Sequence, residues 1–326
     1  MTSCSIVIRA YNEEKHIGRL LTGIEQQTIK DDVQIILVDS GSTDATIEIA
    51  SRFPVDVVHI RPEDFTFGRS LNYGIAQARS ELVVIASAHV YPVYPDWLEK
   101  LLAPFSDAGI ALTYGKQRGM ETTKYSEHQI FQHWFPDHSI QRQSHPFCNN
   151  ANAAIRRSLW KRNPYNETLT GLEDLAWARQ MQEQGFAISY VAEAEIIHIH
   201  NEIWRGVYNR YRREGMAFKQ IYPQENFLLS DLARLFFTNA FNDMKTARQQ
   251  GKLGKVFLDI LRFRWLQFWG TYQGYRRSGP LTWQLKQAFY YPRNHLSPSS
   301  VAVRPVQPIQ YSELGVTEPA KETSHE

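Results

Sequence analysis

Three observations predict an α/β fold with a mostly parallel, nucleotide-binding central sheet flanked by helices. Strand-like and helix-like segments alternate four times between Ser5 and Ala86. The strands are short, unbroken apolar runs, as expected of strands buried on both faces. Their carboxyl ends carry small and acidic residues, and open parallel sheets bind nucleotides in the crevice at those ends. Residues 35–44, IILVDSGSTD, combine these features: a buried strand ending in Asp39, a small-residue turn from Ser40 to Thr43, and Asp44 where a helix begins. A carboxylate at that tip can accept from a ring N–H or a ribose hydroxyl. It can equally cap the helix that follows.

The elements follow in order. Residues 5–10, SIVIRA, form the first strand, and Asn12 is expected to cap the next helix, with Glu13 and Glu14 in its first turn. Ile17, Leu20, Leu21 and Ile24 then fall on one apolar face. Asp31 and Asp32 mark a turn before the second strand, and such a strand–helix–strand unit should be right-handed. A helix over 43–53, a strand over 55–60, a loop over 61–67, a helix over 69–79 and a strand over 82–86 come next. Pro95 opens a helix that buries Trp97, Leu98, Leu101 and Leu102. A strand covers 110–114. Residues 115–142 are polar, aromatic and dotted with His128, His133 and His138, and read as a solvated helix and loop rather than a metal site. Residues 148–155 form a strand of small residues, suited to close approach of a sugar ring or of a packed helix. A helix opens at 170–175 and stops at Gly185, and strands cover 187–191 and 195–199.

Composition narrows the class. A chain of 326 residues with 43% hydrophobic content can bury one large core plus appendages, and a net charge of +2 makes no case for nucleic acid. Two cysteines, Cys4 and Cys148, are no disulfide framework and suit a reducing cytosol. No signal peptide and no transmembrane run are expected.

The pattern AYNEE at residues 10–14, VDSGSTD at 38–44 and GRSLNYGIAQA at 68–78 resembles the family 2 glycosyltransferases with the GT-A fold, over residues 3–215. That resemblance implies a GT-A nucleotide-binding fold with a helical C-terminal appendix. It implies inverting transfer of a sugar from a nucleoside diphosphate to a hydroxyl of a polysaccharide or lipid-linked glycan. Around the donor nucleotide it places Ala10, Tyr11, Glu13, Asp39, Ser40, Asp44, Arg69, Asn72 and Ser87.

The next strand end departs from the family, whose Asp-any-Asp motif holds a divalent cation on the sugar diphosphate. Here the stretch is Ser87-Ala88-His89. Aligned on Pro92 and Trp97-Leu98, His89 takes the place of the second Asp and Ser87 that of the first. Imidazole suits Mn²⁺-like or Zn²⁺-like ions better than Mg²⁺. The expected cofactor is a divalent metal, Mn²⁺ or Mg²⁺. The open alternatives are that His89 ligates it, that His89 contacts the diphosphate without metal, or that the site is dead. By resemblance a histidine after the last strand completes the shell: His198, with His200 as the alternative. The two are expected on opposite faces, so that only one reaches the site.

Glu173-Asp174 matches the family's catalytic acid motif. Inverting transfer needs one carboxylate to take the proton of the acceptor hydroxyl. Asp174 is assigned that role and Glu173 a supporting one. A helix start favours the ionised acid and predicts a weak base.

The C-terminal third is helical, basic and aromatic. Arg212 and Arg213 either reach the diphosphate or lie on a solvated face. Residues 251–293 hold eight Lys/Arg against the single acid Asp259, the composition of a helix lying on an anionic membrane. The expected organisation is a catalytic domain over 1–222, a membrane-associating or packing region over 223–295, and a disordered tail over 296–326. The expected location is cytoplasmic, peripheral on the inner membrane face. The rivals are a non-catalytic scaffold that lost its metal and a nucleotidyltransferase. The acidic AYNEE loop disfavours the latter, and the absence of G-x-G-x-x-G disfavours a dehydrogenase.

Overall fold

The computed structural model describes residues 4–29, 33–200, 202–276 and 306–315. Its first half is β1 (Cys4–Ala10), α1 (Ile17–Glu25), β2 (Val33–Asp39), α2 (Thr46–Ala50), β3 (Val55–His59), α3 (Phe67–Gln77) and β4 (Leu82–Ser87). Its four strands lie parallel in the order β3-β2-β1-β4. Ile6, Val7, Ile36, Leu37, Val84 and Ile85 are fully buried because both faces of the sheet are covered, which is why the strands read as unbroken apolar runs. The strand order reverses between β1 and β4. The crevice therefore opens where these strands end, at Ala10 and Ser87.

The second half is mixed. β5 (Val90–Pro92), α4 (Trp97–Leu102), β6 (Ile110–Arg118), α5 (Tyr125–Trp134), β7 (Asn152–Arg156), α6 (Arg157–Arg162), α7 (Glu173–Glu183) and β8 (Ala187–His198) complete an eight-stranded sheet, β3-β2-β1-β4-β7-β6-β8-β5. β7 runs antiparallel to β4 and β6, and β5 antiparallel to β8. The strand expected over 148–155 shortens to β7, because Asn150 leaves the ladder to bond the acids at the start of α7. The two strands expected over 187–199 are one, β8. Its register against β6 shifts between Gly115 and Gln117. A Cβ at Gly115 would stand 2.1 Å from the Ala194 carbonyl oxygen, so only glycine permits that approach.

Helices α8 (Trp204–Ile221), α9 (Leu229–Gln249) and α10 (Leu253–Tyr275) form a layer in which α10 packs on both others, so the layer begins before residue 223. Glycines let α8 and α10 touch backbone to backbone: a Cβ at Gly274 would lie 2.3 Å from the Arg212 carbonyl oxygen. The basic, aromatic composition of α10 is partly spent inside. Phe263 and Phe268 are buried, and the buried Arg264 forms a bidentate pair with Asp243 of α9 at 2.8 and 2.9 Å. No described helix is long and apolar enough to cross a membrane. Asp31, Asp32 and residues 277–305 lie outside the described residues. So does most of the tail expected over 296–326; within it, residues 306–315 place a buried Tyr311 against Tyr91, with its hydroxyl donating to the Pro92 carbonyl.

Candidate active site

The two donor-side motifs fold onto each other. α1 starts at Ile17 rather than after Asn12, so Asn12 is not its cap. Asn12 instead takes a φ of +54°, a conformation asparagine tolerates, and its Oδ1 accepts from the Thr43 N–H at 2.8 Å. The N–H groups of Glu13 and Glu14 donate to Thr46 Oγ1 and Asp44 Oδ2 at 2.7 and 3.1 Å, and Glu14 Oε2 accepts from the Ala45 N–H at 2.9 Å. Asp44 is thus part of a latch between the loops after β1 and β2. Ser40 Oγ donates to the Ala10 carbonyl at 3.2 Å. The buried Asp39 accepts from the N–H groups of Gly41 and Ser42 and lies 3.3 Å from His59 Nδ1. Gly41, at φ +89°, permits this turn. Tyr11 stays 57% exposed at the crevice mouth, an aromatic face open to a base.

Arg69 and Asn72 have internal tasks. Asn72 Nδ2 donates to the Tyr165 carbonyl and to Glu167 Oε1, both at 2.9 Å, while its Oδ1 accepts from Trp160 Nε1 and the Tyr165 N–H. Arg69 Nε donates to Glu167 Oε2 at 2.7 Å. The structure gives Asn72 a task in fixing the loop before α7, since all its polar atoms are engaged within the protein.

At the ends of β4 and β8, His89, His198 and His200 come together, one ring nitrogen of each within 4.8 Å of the others. The expectation that His198 and His200 face apart is overturned: residues two apart share one side of a strand, and their ring centroids lie 4.0 Å apart. Each Nδ1 meets an oxygen: Glu13 Oε1 at 2.7 Å for His89, Gln117 Oε1 at 2.8 Å for His198, Glu127 Oε1 at 2.7 Å for His200. These acceptors hold the proton on Nδ1 and leave Nε2 as a lone pair, the arrangement by which metal-ligating histidines are oriented. Ser87 Oγ adds a contact 3.1 Å from His89 Nε2. Burial lowers the pKa of His198, and neighbouring positive groups lower it further; burial also lowers that of His200, outweighing the Glu127 hydrogen bond that raises it, so both favour the neutral form that ligates a metal. The donor set therefore fits a divalent ion of the kind that accepts nitrogen ligands.

Glu173 and Asp174 open α7 across the crevice, preceded by Leu172 at φ +55°. Arg9 Nη1 at the end of β1 donates to Glu173 Oε1 at 3.0 Å, and the Asn150 N–H donates to Asp174 Oδ2 at 3.0 Å. Burial raises the Asp174 pKa above the ordinary aspartate range, and the Glu173 charge raises it further, outweighing the amide hydrogen bonds and Arg9. The weak base expected from the helix start is corrected here: burial and a like charge win over the helix terminus.

Asp174, His198 and His200 line one cavity of about 670 Å³ that reaches between α5 and the helical layer. Several of its residues escaped sequence reading. Glu127, in the first turn of α5, binds both His200 and Arg210. Burial alone would raise its pKa, but Arg210 and His200 outweigh it and hold the carboxyl at about 2. Gln117 and Glu214 also carry no local sequence pattern, and neither does Arg9, which holds Glu173 without lining the cavity. Only the amides of residues 149–152 gave a hint.

Residues 5–163 match the model of glycosyl transferase family 2. The O-antigen chain rhamnosyltransferase RfbN of Salmonella typhimurium is 27% identical over 225 residues, which is 65% of this chain and 71% of that protein. WbaN of Salmonella anatum, also an O-antigen chain rhamnosyltransferase, is 28% identical over 235 residues, 66% of this chain and 72% of the relative. Among solved structures, the mannosyltransferase PcManGT from Pyrobaculum calidifontis, in complex with GDP-Man and Mn²⁺, has a TM-score of 0.59 at 17% identity, covering 84% of this chain and 88% of its own. That similarity shows the fold. With its strand-end motifs and these relatives, residues 5–163 form a glycosyl transferase family 2 domain, and the fold resembles that of GT-A glycosyltransferases.

Proposed function

We propose that this glycosyltransferase inverts the anomeric centre of a nucleoside diphosphate sugar while transferring it to a hydroxyl of a polysaccharide or lipid-linked glycan, with Asp174 as the base. The observation that carries this reading is that the buried Asp174 carboxylate and the His198–His200 pair open onto one cavity. The nucleotide lies at the ends of β1 and β2, with Tyr11 against the base and Asp39 below it. The acceptor hydroxyl approaches the anomeric carbon from the Asp174 side. Asp174 removes its proton, and Glu173, held by Arg9, keeps the Asp174 carboxyl proton-hungry. The diphosphate leaves towards the histidines. A divalent ion held by His89, His198 and His200 would offset its charge, and three imidazoles favour a Mn²⁺-like or Zn²⁺-like ion over Mg²⁺. Arg213, stacked 4.7 Å over Phe67 beside Gly171, adds a cation next to the loop that leads into α7. The rhamnosyltransferase relatives support an envelope polysaccharide as acceptor.

Peripheral contact with the cytoplasmic membrane face belongs to the same reading. Phe237, Phe241, Leu258 and Trp265 are exposed on α9 and α10, helices that also carry Lys245, Lys255 and Arg262. Co-sedimentation with anionic phospholipid vesicles, weakened by Phe241→Ser, tests it. Equal recovery without vesicles would remove it.

The central test is nucleoside diphosphate release from UDP-, dTDP- and GDP-sugars, with Mn²⁺, Mg²⁺ or chelator. One donor should give release that Asp174→Asn abolishes and chelator suppresses. Failure of every nucleotide to bind would end the catalytic reading.

A further inference from the structure

Apart from Arg213 of α8, the helical layer lies outside the donor motifs, yet it walls the cavity that opens at Asp174. α5 supplies one side, with Trp134 stacked on Phe147 at 4.3 Å between ring centroids. α8 and α10 supply another, and α9 the far wall through Asn242 and Thr246. The volume of about 670 Å³ lies in the range of about 300–1,000 Å³ for pockets that enclose a whole ligand, more than one sugar ring needs.

The lining chemistry is specific in two ways. Two of its three strong cations are already neutralised, Arg264 by Asp243 and Arg210 by Glu127 and Glu202, which leaves the exposed Lys245 of α9 as the one without an ion pair among the described residues. What remains is a set of aromatic faces and side-chain amides, the partners of sugar C–H faces and hydroxyls. Gln117 is buried in this wall, and its Nε2 has no acceptor among the described residues. Glu214 also lines the cavity, with a carboxyl raised by burial despite Arg210 and Arg213 nearby. A polyphosphate would find few uncommitted positive charges here, and a neutral glycan finds donors, acceptors and stacking surfaces.

Resting on the reading of Asp174 as the base, we propose that the cavity between α5 and helices α8–α10 is the acceptor site, built for an uncharged oligosaccharide whose terminal hydroxyl is delivered to Asp174. Helices α9 and α10 are then a specificity element of the enzyme, and the acceptor is selected by its sugar residues rather than by a phosphate-bearing anchor.

Saturation-transfer NMR with a panel of neutral mono- to tetrasaccharide glycosides tests this directly, without the donor. At least one glycoside should bind the natural protein. Thr246→Trp and, separately, Asn242→Trp, which fill the far wall on α9, should weaken that binding at least tenfold. Nucleoside diphosphate binding by the same variants, followed in parallel, reports whether the donor domain is intact and should not change. Circular dichroism melting of the variants accompanies both. The proposal is overturned if no neutral glycoside binds, if both variants bind it as the natural protein does, or if only an isoprenyl diphosphate probe gives transfer signals. Loss of nucleotide binding in the natural protein would instead count against the donor reading.

Discussion

Two carboxylates line the same cavity, both in the first turn of a helix and both nearly excluded from water: Asp174 on α7 and Glu127 on α5. Burial pushes each towards the neutral acid. They end with opposite character. Asp174 has Glu173 beside it, and its pKa rises. Glu127 has Arg210 at 2.6 Å and His200 at 2.7 Å, and its pKa falls to about 2. The difference teaches that depth alone does not set the charge of an acid; the sign of its nearest neighbour does. One carboxylate is left able to take a proton. The other is a permanent anion that orients an imidazole.

The comparison can be broken from either side. Asp174→Asn should cost about 10²–10⁴-fold in transfer rate, the range for a lost general base, while leaving nucleotide affinity in place; steady-state kinetics with donor titration checks both. Arg210→Met removes the cation from Glu127 and should cost about 3–5 kcal/mol of stability, read by urea unfolding. The sign of its pH dependence should also change. In the natural protein Glu127 has a depressed folded-state pKa, so its contribution is present above the unfolded value of about 4.3 and is lost as pH falls towards 2. Without Arg210 burial should raise the carboxyl above its unfolded value of about 4.3, and stability should then fall as pH rises from that value through the raised folded-state pKa.

Smaller effects sharpen the contrast. Glu127→Gln keeps the shape but weakens the anchor of His200, and should reduce Mn²⁺ affinity about 10–100-fold by titration calorimetry. Glu173→Gln removes the charge that raises Asp174, so the acid limb of the rate–pH profile should move to lower pH; an unmoved limb would mean that burial alone sets the Asp174 pKa. Asn72→Ala leaves buried groups of the loop before α7 without partners. It should cost about 1–3 kcal/mol with donor affinity nearly unchanged, and a large loss of donor affinity would return Asn72 to the nucleotide site.

Much of the site was legible because its residues come in short runs. Tyr11 and Glu13 follow β1, Asp39 ends β2, His89 follows β4, and Glu173-Asp174 start α7, each at the end of an element that writes its own apolar pattern. Where the reading went astray, the cause was an interaction across the chain. Asn12 looked like a cap but is claimed by Thr43, and Asn72, read as a nucleotide ligand, carries a structural task through Tyr165 and Glu167 that no local pattern announced. α10, read as membrane-associating or packing, does pack: part of its basic and aromatic face is buried by α8 and α9, while Leu258 and Trp265 stay exposed.

By itself, then, the sequence determined the alternating strands and helices, the crevice at their ends and the acids and histidine placed there, because periodicity and strand-end position are local properties. Only the tertiary structure decided which partners those groups meet. Glu127 lies 73 residues from His200 and 83 from Arg210, and no local pattern links them. Folding brings them within hydrogen-bond reach in a place where water cannot screen them. There each neighbour decides whether a group is charged, neutral or ready to hold a metal.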